Sequence, residues 1–304
     1  MTTDPSGRMR IAVTGASGFV GGAVARALAA DHDVLEFGRR PGYRFWDLTR
    51  GPLTSPPPVD AVIHCAGSVT DWGPAADLFA VNLSGTRAAL ATWPDARFVH
   101  VSTASVYDPY VPHVMTTESE GPSRRHINAY GASKAAAERD VLRHPDAVVL
   151  RPHAVYGPGD TTLLPRVLSA VRGRYLPAVG TGRQRISLTS IDNLVQACRR
   201  APTAPPGVYN ITDAEPVTLD TALRTILKER RINARPLYLP HCPAAALAAV
   251  AEAAFLLVRS PRPPRLTRYA ISHLAQDRTY DITAARQAFG YTPTPTTFKS
   301  AATW

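Results

Sequence analysis

Tyr130 and Lys134 lie four residues apart in the stretch Asn128-Ala129-Tyr130-Gly131-Ala132-Ser133-Lys134. On a helix that spacing projects both side chains from one face. An ammonium beside a phenol favours the phenolate, so Tyr130 is expected to exchange a proton with a carbonyl oxygen near neutral pH. A solvated Tyr/Lys pair is the plainer reading, and the rest of the chain decides between them. Two further groups bear on chemistry. Gly15, Gly18 and Gly21 stand in Gly15-Ala16-Ser17-Gly18-Phe19-Val20-Gly21-Gly22, and the tandem Arg39-Arg40 follows Gly38. The glycines allow a tight turn and close approach of a diphosphate to the backbone. The guanidinium pair suits a ribose 2′-phosphate, where an acidic residue would read a 2′-hydroxyl. NADP(H) is therefore expected over NAD(H), the competing reading being that Glu36 faces the ribose and the arginines are solvated.

These residues need elements to hold them. Arg10 to Thr14 reads as an apolar strand running into the glycine turn, with a helix over Ala23 to Ala30; the N–H groups at such a helix start attract anions. Further strands are expected at Val34 to Phe37, Ala61 to His64, Arg97 to Val101 and Ala147 to Leu150. Helices are expected over Asp77 to Thr92 and around Tyr130. Cys65-Ala66-Gly67 are small enough to let a cofactor pass close to the chain. Ser102-Thr103-Ala104-Ser105-Val106-Tyr107 places hydroxyls at the carboxyl end of a strand, where open α/β sheets bind ligands, although such residues also cap turns. Arg151 to Asp160, with its tandem of Pro and Gly, breaks regular structure and reads as a loop over the site; its His153 is more readily structural than catalytic. Beyond it the pattern is less regular: a helix near Leu163 to Val171, strands near Ile186 to Leu188 and Val208 to Ile211, and a helix over Thr218 to Arg230. The expected fold is α/β, a Rossmann-type doubly wound parallel sheet with a smaller, mixed C-terminal substrate-binding region. Residues 1–7 read as a tail, 8–160 as the dinucleotide-binding domain, and 161–304 as mainly substrate-binding with elements returning to the sheet.

A chain of 304 residues with 45% hydrophobic content can bury a substantial core. The formal charge of +10 comes almost wholly from Arg, with lysine only at Lys134, Lys228 and Lys299. Without charge blocks or interleaved aromatics, nucleic-acid binding is not expected. Three cysteines, Cys65, Cys198 and Cys242, show no metal-ligand spacing, so no metal and no disulfide framework are expected, and a reducing cytoplasm fits.

In order along the chain, TGASGFVGG, Asp47-Leu48, HCAG at 64–67, VNLSGT at 81–86, STASVY at 102–107, YGASK at 130–134 and RPHAVYGPGD at 151–160 resemble an extended short-chain dehydrogenase/reductase. That superfamily includes nucleotide-sugar epimerases and dehydratases. His64-Cys65-Ala66, Asp71-Trp72-Gly73-Pro74 and the stretch from Tyr280-Asp281 to Gly290-Tyr291 are similar to its 3β-hydroxysteroid dehydrogenase-like branch. The resemblance implies catalysis by Tyr130 as acid/base, with Thr103 on the substrate oxygen and Lys134 on the nicotinamide ribose. It puts Ser17, Phe19, Val20, Asp47, Leu48, Asn82, Val101, Ser102, Pro152, His153 and Val155 along the cofactor. Ser68, Thr103, Ala104, Tyr107, His153 and Arg185 fall on the substrate side.

Two departures narrow the reaction. The Asp-Glu pair that follows the Thr in dehydratases is replaced by Ala104-Ser105, which speaks against sugar dehydration. Epimerases hold a diphosphate with two arginines; Arg185 matches one, and Ala275 to Arg278 supplies no second. The expectation is a reversible ketone and secondary-alcohol oxidoreductase acting on an apolar small molecule, steroid-like, β-keto or polyketide-type. A nucleotide-sugar epimerase and a non-catalytic cofactor-sensing protein are the rivals, and a homodimer is compatible. Ala244 to Val258, an almost wholly apolar run, is too short to cross a bilayer. It is read as a buried helix, a lid over the substrate, or an interfacial helix touching a membrane surface with Arg259, Arg262, Arg265 and Arg268. Between the two functional readings the lid is favoured.

Overall fold

The structure, a computed structural model, describes residues 7–258, 260, 263, 264, 267–299 and 301–304. Its centre is a seven-stranded, all-parallel sheet. In chain order the strands are β1 (Arg10–Thr14), β2 (Asp33–Gly38), β3 (Arg44–Phe45), β4 (Ala61–His64), β5 (Arg97–Val101), β6 (His113–Thr116), β7 (Ala147–Pro152), β8 (Val155–Tyr156), β9 (Tyr175–Val179), β10 (Arg185–Ile186), β11 (Thr189–Ser190), β12 (Gly207–Ile211), β13 (Val217–Thr218), β14 (Arg235–Leu239) and β15 (Arg278–Tyr280). The main sheet runs β12-β7-β5-β4-β1-β2-β3. The chain winds outward from β1 through β2 and β3, then returns to β4 on the other side. The carboxyl ends of β1 and β4 therefore flank the point where winding reverses, the crevice in which such sheets bind ligands.

The helices are α1 (Phe19–Leu28), α2 (Ala75–Phe79), α3 (Gly85–Thr92), α4 (Ala129–Val141), α5 (Leu163–Ser169), α6 (Ile191–Arg200), α7 (Leu219–Glu229), α8 (His241–Leu257), α9 (Arg268–Leu274) and α10 (Thr283–Phe289). Near-continuous apolar strands are what a sheet buried on both faces requires. Ile11, Val13, Ile63, Val99, Val148 and Leu150 pack into one core with α1 and α6, while their neighbours Ala12, Val62, Phe98 and Val149 pack into a second. Phe37, Trp46 and Trp93 close that second core edge-to-face, with ring centroids 5.5 to 5.8 Å apart.

The second half contributes β12 to the edge of the main sheet and otherwise builds three small sheets, β13-β10-β15-β6, β11-β8 and β14-β9. The strand expected at 208–211 appears as β12, that expected at 186–188 is reduced to the two-residue β10, and β9, β11, β13, β14 and β15 are additional. Asp77 to Thr92, expected as one helix, is α2, a single π-helical turn over Ala80–Ser84, and α3. Residues 1–6 of the expected tail lie outside the described residues.

The apolar run at 244–258 forms most of α8, but only Ala244 and Ala248 are buried. Leu247, Val250, Leu256 and Leu257 face outward, so α8 is not an ordinary core helix. Nor is it a lid in contact with the cavity described below, because none of its residues borders that space. It backs α9 through Ala244, Ala248 and Ile271, and Glu252 ion-pairs with Arg268. Arg259, Arg262 and Arg265 of the expected basic run lie outside the described residues. No helix among the described residues is long and apolar enough to cross a membrane.

Candidate active site

The glycine turn after β1 is dictated by sterics. Gly15 has φ +70°, and a Cβ there would stand 2.8 Å from the Ala66 backbone; a Cβ on Gly21 would stand 2.2 Å from the Gly15 carbonyl oxygen. Gly18 begins α1 without a side-chain cap, so the first-turn N–H groups are open to an anion. These features fit a dinucleotide diphosphate. Beneath the turn, His64 Nδ1 meets the Thr14 hydroxyl at 2.8 Å and Nε2 meets the Thr86 hydroxyl at 3.1 Å. Thr86 donates its own proton to the Asn82 carbonyl, so Nε2 must be the donor and Nδ1 the acceptor. Burial drives His64 down to about 3, with Lys134 acting in the same sense, and keeps the ring neutral.

At the crevice lies a cavity of about 970 Å³ that the glycine turn, Ser17, Phe19, Val20, Arg39, Arg40, Asp47 and Leu48 border at one end. Cys65, Ala66, Gly67, Ser68, Val101, Ser102, Thr103, Tyr130, Lys134, Pro152, His153 and Val155 line its middle. Glu36, the rival ribose reader, does not border it. Four expected site residues also stand outside. Asn82 is buried behind the wall, where its side chain accepts from the Ser68 N–H at 2.7 Å and donates to the Ser68 carbonyl and the Ser133 hydroxyl. It sits in the π-helical turn, which swings it between the Ser68 loop and α4. Ala104 and Tyr107 are core residues, and the Tyr107 hydroxyl donates to Asn210 at 2.7 Å. Arg185 is exposed on β10.

Asn128 caps α4 by accepting from the Gly131 N–H at 3.0 Å, and the helix carries Tyr130 and Lys134 to the carboxyl end of β5. All three of Thr103, Tyr130 and Lys134 are less than a tenth exposed. Burial raises the Tyr130 phenol above its usual 10, with Thr103 hydrogen bonding in opposition. This corrects the expected downward shift. The Lys134 ammonium donates to the Val101 carbonyl at 2.8 Å and contacts His100 Nε2 at 3.3 Å, and burial lowers it to about 8. Its charge thus acts on His64, His100 and Cys65 rather than on the phenol. A protonated phenol beside a hydroxyl can donate to one carbonyl oxygen.

Sequence reasoning missed α9. Tyr269 shares a 2.8 Å hydrogen bond with Ser105, and its ring stands edge-on to Tyr130 at 6.2 Å. His273 Nδ1 lies 3.1 Å from His153 Nε2, while His153 Nδ1 lies 2.6 Å from the Ser187 carbonyl. A carbonyl only accepts, so His153 carries its proton on Nδ1 and His273 must donate from Nδ1. Burial holds His153 at about 4 and keeps both rings neutral. His153 is therefore a buried wall residue with both nitrogens engaged. The far end of the cavity is apolar: Leu163, Leu176, Leu188, Leu219, Leu223 and Ile226 border it and also belong to the core of the second half.

The chain matches the NAD dependent epimerase/dehydratase family over residues 11–212. It is 31% identical to the 2-alkyl-3-oxoalkanoate reductase of Shewanella oneidensis, with 92% of this chain and 81% of that protein covered. With the sterol-4-alpha-carboxylate 3-dehydrogenase, decarboxylating, of Mus musculus it shares 28% identity over 96% of this chain and 89% of the other. RMD from Pseudomonas aeruginosa, solved with NADPH, has the same fold: TM-score 0.68 at 21% identity, covering 97% and 96% of the two chains. The glycine turn, the YGASK helix and these likenesses together identify the chain as a member of the NAD dependent epimerase/dehydratase family, the extended short-chain dehydrogenases/reductases.

Proposed function

We propose that the protein is an NADP(H)-preferring reductase that interconverts a ketone and a secondary alcohol on an apolar small molecule. The observation that carries this reading is continuity: one cavity joins the glycine turn, the Tyr130–Thr103–Lys134 group and the hollow apolar core of the second half. The nicotinamide supplies or takes the hydride when bound. Tyr130 donates the proton to the carbonyl oxygen, Thr103 turns its single hydroxyl proton from Ser105, 3.2 Å away, to that oxygen, and Lys134, anchored on Val101, holds the ribose side of the cleft. Apolar walls exclude water from the reacting carbon. The relatives named above are a reductase and a dehydrogenase acting at a position-3 oxygen, which supports the reaction type. Arg185 is exposed and does not border the cavity, so a diphosphate clamp of the epimerase kind is not favoured. Following NADPH consumption against alkyl, β-keto and steroid ketones tests the reading; absence of turnover with every class rejects it.

Arg39 and Arg40 are exposed at the end of β2 and border the cavity, which supports the preference for a 2′-phosphate. A charge-assisted contact of this type is worth about 1.5 to 3 kcal/mol when well formed, and solvent screening reduces it here. Arg39→Ala is therefore expected to weaken NADPH by about tenfold and NADH hardly at all. Equal changes for the two cofactors in a fluorescence titration would reject the assignment.

A further inference from the structure

Arg166 on α5 borders the same cavity but belongs to none of the groups assigned above. Its Nη2 donates to Asp71 Oδ1 at 2.5 Å, and Asp71 Oδ2 accepts from the Thr267 hydroxyl at 2.9 Å. The carboxylate is nearly buried and itself held by Thr267, so it tethers the Nη2 edge of the guanidinium. Among the described residues nothing accepts from Arg166 Nε or Nη1. A planar fork with N–H groups left over can take a second carboxylate.

Tyr269 stands beside it. Asp71 and Arg166 both act on the Tyr269 phenol, which burial and Tyr130 push up and so keep protonated. The Thr103 hydroxyl donates to Ser105 at 3.2 Å. Ser105 can then pass its own proton to Tyr269 at 2.8 Å, which frees the phenol proton for the cavity. The local charge also favours an anion. Arg278, buried behind α9, gives its N–H groups to the Ser272, Pro109 and Val111 carbonyls and makes no ion pair among the described residues. With Arg166 cancelling Asp71, Arg125 cancelling Asp108 and His273 neutral, the sum near Tyr269 is positive.

We propose that Arg166, oriented by Asp71, acts with Tyr269 to anchor a carboxylate, and that the substrate is therefore an oxo acid with an apolar tail. This deepens the ketone-reductase reading and rests on it. The edge-on packing of Tyr269 on Tyr130 places the two anchors side by side, so carbonyl and carboxylate belong to one short segment, as in a 3-oxo acid. Arg166 reads the acid, Tyr130 and Thr103 read the ketone, and the hollow core takes the tail.

The test is calorimetric titration of the NADPH-loaded protein, which cannot oxidise an alcohol, with a long-chain 3-hydroxy acid and with its methyl ester, beside steady-state reduction of the matching 3-oxo acid and ester. The acid is expected to bind more tightly than the ester. Arg166→Gln should reduce the acid-to-ester affinity ratio by about tenfold, the low end for a charge-assisted contact at a partly exposed site, and Arg166→Lys should restore part of it. The ester arm reports whether the variant still folds and binds. Equal affinity for acid and ester in the parent, or a parallel loss of both in Arg166→Gln, overturns the anchor. Acid-selective binding without turnover of either ketone would reject the reductase reading and leave the anchor standing.

Discussion

Replacing Tyr130 by Phe is expected to lower kcat for ketone reduction by about 10²- to 10⁴-fold, the usual contribution of a positioned proton donor, while leaving the Kd for NADPH nearly unchanged. The ring packs in a site less than a tenth exposed, and Phe preserves that packing. Only the hydroxyl is lost. The direction of its pKa makes the pH dependence specific. Because burial holds the phenol above 10, the donor is fully protonated through the neutral range, and reduction should be flat between about pH 6 and 8 with respect to this group. Alcohol oxidation needs the phenolate, so its rate should climb with pH across the same range. Steady-state profiles in both directions, with Tyr130→Phe as the reference lacking the slope, check this. A variant retaining most of its activity would remove Tyr130 from the chemistry.

The parts of the site that the sequence made legible share a physical property: their function is written in local spacing. A glycine that must have positive φ, a strand that must be apolar on both faces, and a Tyr/Lys pair one helical turn apart are all constraints within a few residues. Tyr107 illustrates where this fails. It lies in the same hydroxyl-rich stretch as Thr103, but the short 3-10 turn Ala104–Val106 rotates it away from the cavity and into the core. Tyr269, His273 and Arg166 were illegible for a different reason: they reach the site from segments distant in sequence, through packing of α9 and α5 against the Rossmann half. α8 shows a third kind of failure. An Ala-rich helix with no polar face has no periodicity to say which side packs, so its run of apolar residues cannot reveal that only Ala244 and Ala248 are buried. For the phenol's pKa, spacing shows that Lys134 is near, but not that its ammonium is held by Val101 and His100.

The largest expected effect on stability comes from Glu138, one helical turn beyond Lys134 on α4. Its side chain and that of Arg151 on β7 are fully buried and ion-paired. Glu138 also accepts from the Ser102 hydroxyl at 2.6 Å. Arg151 donates to the Tyr107 hydroxyl at 2.9 Å and the Glu118 carbonyl at 3.0 Å, and Tyr107 passes its proton to Asn210 on β12. The network joins the ends of β5, β7 and β12 to α4 beneath the cavity. Truncating one member of such a pair strands a charge in the interior, so Glu138→Ala should destabilise the fold by about 3 to 5 kcal/mol, read as a lower denaturation midpoint with an unchanged m-value. Replacing both partners by apolar residues of similar size, Glu138→Leu with Arg151→Met, removes the uncompensated charge and should recover much of that loss, leaving mainly the Ser102 hydroxyl and the Glu118 carbonyl without these partners. A second consequence reaches the site. Glu138 is the first influence holding up the Lys134 ammonium against burial, so in the double variant Lys134 should titrate below its present value of about 8 and lose its charge within the assay range. Catalysis should then fall on the acidic side less than on the alkaline side, even where the protein is fully folded. A single variant destabilised by less than about 1 kcal/mol, within the range of an exposed ion pair, would mean that water reaches the pair and that the network does not brace the site.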